Sequence, residues 1–186
     1  MPFIEIKFKD IIFDLKVQKY CTNSNFECPS YGHSWACPPE APFLEQEVSQ
    51  YKKFYLIFVK YNIKKYIEKQ KLKYPKRNEN DIRNAFFMKN LLRDMLEQEI
   101  KVFTTEYQNF YDEKFILWDG YCRICFNKKN KGCTYDNGEP CRYPDKIRYS
   151  MEAVGIDVTQ TVKKLKFNLE WPPKEVLYRF GLVCFK

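Results

Sequence analysis

Seven of the eight cysteines fall into two groups, Cys21, Cys28 and Cys37 in one and Cys122, Cys125, Cys133 and Cys141 in the other, and residues 38–121 contain none. Thiols bunched in loops beside Pro and Gly hold a metal ion or an iron-sulfur cluster in reducing compartments, whereas a disulfide framework belongs to secreted, usually smaller chains. Structural zinc is tetrahedral and is commonly held by two close pairs of the C-x2-C kind. Only Cys122 and Cys125 have that spacing; the remaining gaps are six and eight residues in the first group and seven and seven in the second. Such gaps suit a cofactor whose anchoring points are spread apart. A [4Fe-4S] cube offers four iron corners to four thiolates, and a Cys followed by Pro, as in Cys28-Pro29 and Cys37-Pro38, recurs in iron-sulfur loops. The expected cofactor is therefore one or two [4Fe-4S] clusters, with zinc as the alternative.

The second group has enough thiolates to occupy every iron of one cube, which makes it a site for electron transfer or loop stiffening. The first has three, with His33, the single histidine of the chain, between Cys28 and Cys37. Either His33 is the fourth ligand, or one iron stays open and can polarise a substrate as a Lewis acid, or one site spans both groups. Tyr31, Trp35, Trp118, Tyr121 and Phe126 crowd these loops and could limit water access, although aromatics make up 18% of the chain and also serve as core. Arg142 and Arg148 follow the last loop thiol and could grip an anion or neutralise thiolates; Glu152 is expected to pair with one of them or to act on a proton. Cys184, alone in GLVCF, reads as a small buried hydrophobe and is left out of the ligand set.

The elements that must present these loops are short apolar runs. IEIKFK and IIFDLKV suit edge strands with a turn near Asp10, and residues 20–42 have no period and read as a loop. Phe43 to Tyr51 fits a short helix after Pro42, and Lys53 to Tyr61 a buried strand. From Asn80, a candidate N-cap, to about Tyr111 apolar residues recur at three- and four-residue steps without Pro or Gly, predicting one long amphipathic helix. Phe115 to Trp118 should return as a central strand delivering Gly120 and the second cysteine group. Ser150 to Val154 is a helical turn ended by Gly155, Asp157-x-x-Gln160 opens a helix to about Leu165, and Leu177 to Phe185 closes the chain as a strand. The expectation is an α+β fold of residues 1–186 as one domain: a small mixed β-sheet, one long helix and two cysteine-rich cofactor loops.

A chain of 186 residues can bury a core without crosslinks. Its start lacks the apolar segment of a secretory signal, and no apolar run approaches the roughly 20 residues of a membrane span, so a cytoplasmic protein without membrane contact is expected. The formal net charge is +8, and Lys60 to Arg77 alone carries eight basic residues against Glu68, with Tyr61, Tyr66 and Tyr74 interleaved. That composition suits a solvated helix, a nucleic-acid surface, or a docking face for an acidic redox partner.

Y-x7-CP-x-YG-x2-W-x-CPP at Tyr20 to Pro39, then G-x-C-x2-C at Gly120 to Cys125 and P-CR-x-P-x3-R-x-S-x-EA-x-GIDV at Pro140 to Val158, resemble the uncharacterised predicted metal-binding protein family, domain of unknown function 2284. The resemblance implies a cysteine-bound metal or iron-sulfur centre in an anaerobic, cytoplasmic setting, and it carries no reaction. The family's motifs land on Cys21, Cys28, Cys37, Cys122, Cys125 and Cys141. Its pattern has a further Cys three residues after the second of the later motif, where this chain has Lys128 and reaches its next thiol at Cys133. FNKKNKG thus reads as a basic insertion that displaces a ligand.

These readings converge on an iron-sulfur protein acting in electron transfer or as a redox component of an anaerobic enzyme system. The alternatives are an enzyme that activates a small substrate on an open iron, as in sulfur removal or dehydration, and a zinc-stabilised nucleic-acid-binding module.

Overall fold

The computed structural model describes residues 2–23, 26–87, 89–129, 132–170 and 172–186. Its elements are β1 (Phe3–Ile6), β2 (Thr22–Asn23), β3 (Phe26–Glu27), α1 (Glu45–Ser49), β4 (Lys53–Asn62), α2 (Ile63–Lys73), α3 (Glu79–Phe87), α4 (Leu91–Glu106), β5 (Lys114–Leu117), α5 (Ile124–Lys129), α6 (Val158–Lys164) and β6 (Val176–Phe185). The main sheet has the order β1-β4-β6-β5, and β2 and β3 form a separate small pair.

The central strands are apolar throughout because both faces of the sheet are covered. In β4, Phe54 and Leu56 enter one core while Tyr55, Ile57 and Val59 enter the other; β6 likewise sends Leu182 and Cys184 one way and Val183 and Phe185 the other. Cys184 is fully buried, as a small hydrophobe should be. One face carries α2, α3 and α4 through Ile67, Ile82, Phe86, Leu96, Ile100 and Phe103. Gly181 permits that approach, since a Cβ there would lie 2.8 Å from Ile100 Cδ1 and 3.1 Å from the Leu117 carbonyl oxygen. The opposite face is closed by Ile11, Leu44, Val48, Met151, Val154, Ile156 and Val162, contributed by turns, α1 and α6.

The α+β class with a long helix beside a small sheet is what the sequence predicts. The helix is bent: α3 and α4 are separate segments, and Met88 between them lies outside the described residues. Asn78 rather than Asn80 caps the start, its Oδ1 accepting from Asp81 N at 2.8 Å, and the last helical residue is Glu106. The sheet, expected to be mixed, is antiparallel in all its ladders, and among the described residues parallel pairing is confined to the isolated bridge Trp118–Ser150. β5 lies at the sheet edge rather than the centre, because β6 takes the position between it and β4. IIFDLKV forms no strand; it follows the 3₁₀ segment Phe8–Asp10 and runs into a second at Leu15–Cys21, and its apolar residues Ile11 and Val17 are buried. Asp157 caps α6 as its spacing predicts, accepting from Gln160 N at 2.8 Å. No helix among the described residues is long and apolar enough to cross a membrane.

Gly155 ends the turn Glu152–Val154 with φ +93°, and a Cβ there would stand 2.3 Å from the Phe43 ring. Gly138 is also left-handed, φ +67°, but open space surrounds it. Gly138→Ala is expected to cost about 1–2 kcal/mol from backbone strain alone. Gly155→Ala should cost at least about 1 kcal/mol more through overpacking. Urea denaturation of the two variants checks the ordering, and equal losses would refute it.

Candidate metal centre

The first cysteine group is shaped by local hydrogen bonds. Cys21 ends the 3₁₀ turn opened by Asp14, whose side chain accepts from Lys16 N at 2.8 Å. β2 and β3 then fold back, so that Cys28 N donates to Cys21 O at 2.8 Å and the Cys28 thiol comes within electrostatic reach of Cys21. The next turn brings Cys37 N to Ser34 O at 3.1 Å and Gly32 N to Pro38 O at 2.9 Å. Gly32 supplies the φ of +64° that this return requires. The Gln18 side-chain amide donates both to Ala41 O (2.9 Å) and to Ala153 O (2.8 Å), tying the Cys21 turn to the chain after Cys37 and to the Glu152 turn.

The second group leaves the end of β5. Trp118 is held by Trp118 N to Tyr149 O (2.8 Å) and Met151 N to Trp118 O (3.3 Å), which fixes the chain on both sides of the loop. At Gly120, φ +70°, the Arg93 guanidinium packs so closely that a Cβ would lie 2.6 Å from Nη2. Arg123, between Cys122 and Cys125, is buried and reaches α4, donating to Asp94 at 2.7 Å and to Glu97 at 2.5 Å. Cys125 then sits on α5, a helix inside a stretch that reads as a loop in sequence. Beyond it, Thr134 is buried and donates to Pro140 O at 2.9 Å, bracing the segment between Cys133 and Cys141, and Arg142 donates to Gly132 O at 2.9 Å. Asn130 and Lys131 of the basic insertion lie outside the described residues.

The fold docks the two loops on each other. Trp35 Nε1 donates to Glu139 O at 3.1 Å, its ring meets Tyr135 edge-on at 5.0 Å, and Tyr135 OH donates to Glu40 at 3.3 Å. His33 joins the same seam, with Nδ1 2.7 Å from Asp136, and is largely exposed. All eight thiols are free, and the seven loop thiols are part-buried or buried. Burial pushes Cys37 up to about 11 against a hydrogen bond from Ser34, and Cys28, Cys21 and Cys122 add to the rise. Burial likewise raises Cys141 against a backbone hydrogen bond at Tyr143, with Cys125, Cys133 and Cys122 adding. Cys122 therefore lies within electrostatic reach of both groups and links them into one constellation. A cavity of about 180 Å³ opens beside it, walled by Cys122, Cys125, Cys133 and Cys141 together with Trp35, Tyr121, Phe126 and Tyr143. Among the described residues no three His, Cys, Asp or Glu side chains converge as the ligands of a single ion.

The polar residues singled out in the sequence take other partners than expected. Arg148 lies over the Trp118 ring at 4.0 Å and donates to Glu97 at 2.8 Å. With Arg142 on Gly132 O as well, both arginines brace the loop backbone or α4, and neither forms an ion pair with Glu152. Glu152 instead faces Asp119, Arg179 and Cys21. Glu152 is exposed by surface area, although protein atoms pack densely around its carboxylate. Burial, then Asp119, push its carboxyl up to about 7. Asp119 is shared by Arg93 (3.2 Å) and Arg179 (3.1 Å), and Arg179 Nε is buried without a hydrogen-bond partner. Gln18, Arg123, Asp119 and Arg179 are absent from the sequence reading, because their partners lie far away along the chain and no local pattern marks them.

In the basic segment the lysines of α2 are exposed. Tyr61 stacks on Phe86 at 4.9 Å and Tyr66 packs on it at 4.7 Å, so of the three interleaved tyrosines Tyr74 is the one that is exposed.

A family model described as Predicted metal-binding protein (DUF2284) matches residues 4–185. No curated protein and no solved structure matches the chain.

Arg123→Met removes the grip of the Cys122–Cys125 loop on α4 and leaves Glu97 and Asp94 without that partner. It is expected to cost about 2–3 kcal/mol in denaturant unfolding, and a loss under about 0.5 kcal/mol would refute the anchoring role. A second expectation concerns pH. Burial raises Cys21 to about 11, with Cys28 and Glu152 adding, and Cys37 stands equally high. A raised thiol pKa keeps the unreactive protonated form below that pH. In metal-free protein, alkylation of Cys21 and Cys37 should therefore rise about tenfold per pH unit from neutrality towards pH ~11. Mass-spectrometric rates that level off by pH ~9 would contradict this.

Proposed function

The chain belongs to the Predicted metal-binding protein family, whose model covers nearly all of it, and from that premise we propose that it is an iron-sulfur protein of the [4Fe-4S] type serving electron transfer or a redox step of a larger enzyme system. Cys122, Cys125, Cys133 and Cys141 hold one cluster; Cys21, Cys28 and Cys37 hold a second. The observation that carries this reading is that two distant loops bearing seven free thiols dock on each other, through Trp35 on Glu139 O, Tyr135 on Glu40 and His33 on Asp136. Soft thiolate donors suit iron-sulfur clusters and zinc alike. The six- to eight-residue gaps between most of the thiols suit a cofactor with several separated anchoring points better than the paired C-x2-C loops of a mononuclear site. When bound, such a cluster supplies one-electron chemistry. The chain's own part is to exclude water with Trp35, Tyr121 and Tyr143 and to hold the thiols in register through Arg123, Thr134 and Gln18.

The exposed lysines of α2 suit an acidic redox partner, whose encounter opposite charge would accelerate. With Tyr61 and Tyr66 engaged against Phe86, stacking of successive bases has less support.

A second reading, an enzyme that activates a small substrate at an iron lacking a thiolate, draws on one specific feature. The first group has three thiols, one fewer than a four-iron cube has corners.

Anaerobic purification with iron, zinc and acid-labile sulfide analysis tests the proposal. About four or eight iron atoms per chain with matching sulfide are expected, and zinc without sulfide would overturn it. If two clusters are present, Cys125→Ser and Cys28→Ser should each lower the iron content by about half.

A further inference from the structure

We propose that the open groove between the end of α2 and the junction of α3 with α4 is the docking seat of an acidic protein partner, received by Lys73, Lys76, Arg77 and Lys89. This inference rests on the redox reading above for the partner's role, and deepens it by moving the contact from the whole lysine face of α2 to one bounded site.

Local structure builds the groove. Tyr74 N donates to Gln70 O at 2.8 Å, closing α2, and Arg77 N donates to Tyr74 O at 3.1 Å in the turn that follows. Arg77 Nη2 then reaches the first turn of α3, donating to Asp81 O at 3.3 Å. From α2, Tyr66 packs on Phe86 of α3 at 4.7 Å, and Lys89 Nζ donates to its hydroxyl at 3.0 Å. Four cations from α2, the connecting turn and the start of the α4 segment thereby line one space of about 790 Å³, with Tyr66 and Tyr74 between them. That is room for several side chains rather than for a single ion.

Charge is sorted between this groove and a second cleft on the same two helices. Glu68 of α2 and Glu79 of α3 line that cleft together with Glu170 and Glu175. Its cations are neutralised there, Lys64 by Glu175 at 3.5 Å and Arg83 by Glu79 at 2.6 Å. Among the described residues no Asp or Glu lines the basic groove, and none of its four cations has an ion pair within 4.0 Å. Like charges gathered without counter-charges repel one another, and an anion that enters the groove relieves that repulsion.

The occupant follows from which groups are free. A nucleic-acid strand is held on successive open aromatic faces. Here Tyr66 is engaged by Phe86 and Lys89, and Lys73 Nζ stands over the Tyr74 ring at 5.3 Å. What remains on offer is exposed positive charge, which complements the Asp and Glu side chains of an acidic protein and steers its approach. Position ties the seat to the redox site. Lys89 stands just before α4, and Arg93 in the first turn of α4 lies over the Tyr121 ring at 4.8 Å and bonds to Asp119 at 3.2 Å. The groove and the second cysteine loop are thus both attached to the start of α4.

The test uses the full chain purified anaerobically, as wild type, as a groove variant combining Lys73→Gln, Lys76→Gln, Arg77→Gln and Lys89→Gln, and as a control combining Lys52→Gln, Lys65→Gln, Lys114→Gln and Lys163→Gln, exposed lysines outside the groove. Labelled poly-L-glutamate and oligouridylate of equal length are the probes, read by fluorescence anisotropy. Circular dichroism checks folding, and a groove variant that keeps Lys89 decides the matter if loss of its bond to Tyr66 unfolds the chain. Wild type should bind polyglutamate, more weakly as salt rises. The groove variant should bind it about tenfold more weakly, as four exposed ion pairs together imply, and the control less than about twofold. Equal weakening in both variants, no binding by wild type at low salt, or oligouridylate held more tightly than polyglutamate in the same groove would each overturn the seat. Iron and sulfide measured on the same samples separate the two readings. Their presence without groove-dependent binding overturns the seat and leaves the iron-sulfur reading intact, whereas groove-dependent binding by protein without them keeps the seat and overturns the redox role.

Discussion

Thiols crowded into two docked, part-buried loops cannot all carry charge unless something positive lies among them. Burial raises the cost of each thiolate, and neighbouring sulfurs add to it, which is why Cys21 and Cys37 both stand near 11 and Cys141 is raised as well. The protein resolves this in one of two states: protonated thiols without a metal, or thiolates bonded to a cationic centre that displaces their protons. Most features of the region serve one of two ends, either to hold the sulfurs together or to limit the water around them.

The holding is done by residues that touch no cofactor. Arg123 sends its guanidinium away from the cysteines on either side of it, to Asp94 and Glu97 on α4, so that the most regular helix of the fold becomes the foundation of the second loop. Arg148 adds to the same acidic pair of turns while covering Trp118. On the other side Gln18 performs the equivalent task with two backbone carbonyls, and the seam of Trp35, Tyr135, His33 and Asp136 closes one loop on the other. These contacts pair charged or polar groups at the base of the loops and leave aromatic and thiol groups facing the cavity. That division keeps polar groups satisfied and the space around the sulfurs apolar.

The sheet matters to the site mainly as a ruler. β5 pairs with β6 from Lys114 against Phe185 to Leu117 against Leu182, and the chain then passes through the Trp118–Ser150 bridge into the cysteine loop. Asp119, just beyond the end of β5, meets Arg179 of β6, so that the loop begins from a position set by strand register and an ion pair. Glycines enter where the geometry allows nothing larger: Gly181 lets α4 lie on the sheet, and Gly120 and Gly155 hold left-handed backbone under Arg93 and Phe43.

The amino-acid order alone determined which residues are chemically distinctive, and it determined the strands and helices that bury continuous or periodic apolar surface, because those signals are local. β4, β6, the periodic face of α3 and α4, the Asp157 cap, the turn ended by Gly155 and the buried Cys184 were all legible in this way. Tertiary structure alone decided what lies next to what. It docked the two cysteine loops on each other, sent Arg148 to Glu97 and Arg142 to Gly132 instead of to Glu152, and engaged His33 with Asp136. The bend between α3 and α4, the edge position of β5 and the short helix carrying Cys125 belong to the same class. Arg148 with Glu97 and His33 with Asp136 join segments 51 and 103 residues apart, and no local window of sequence contains both partners.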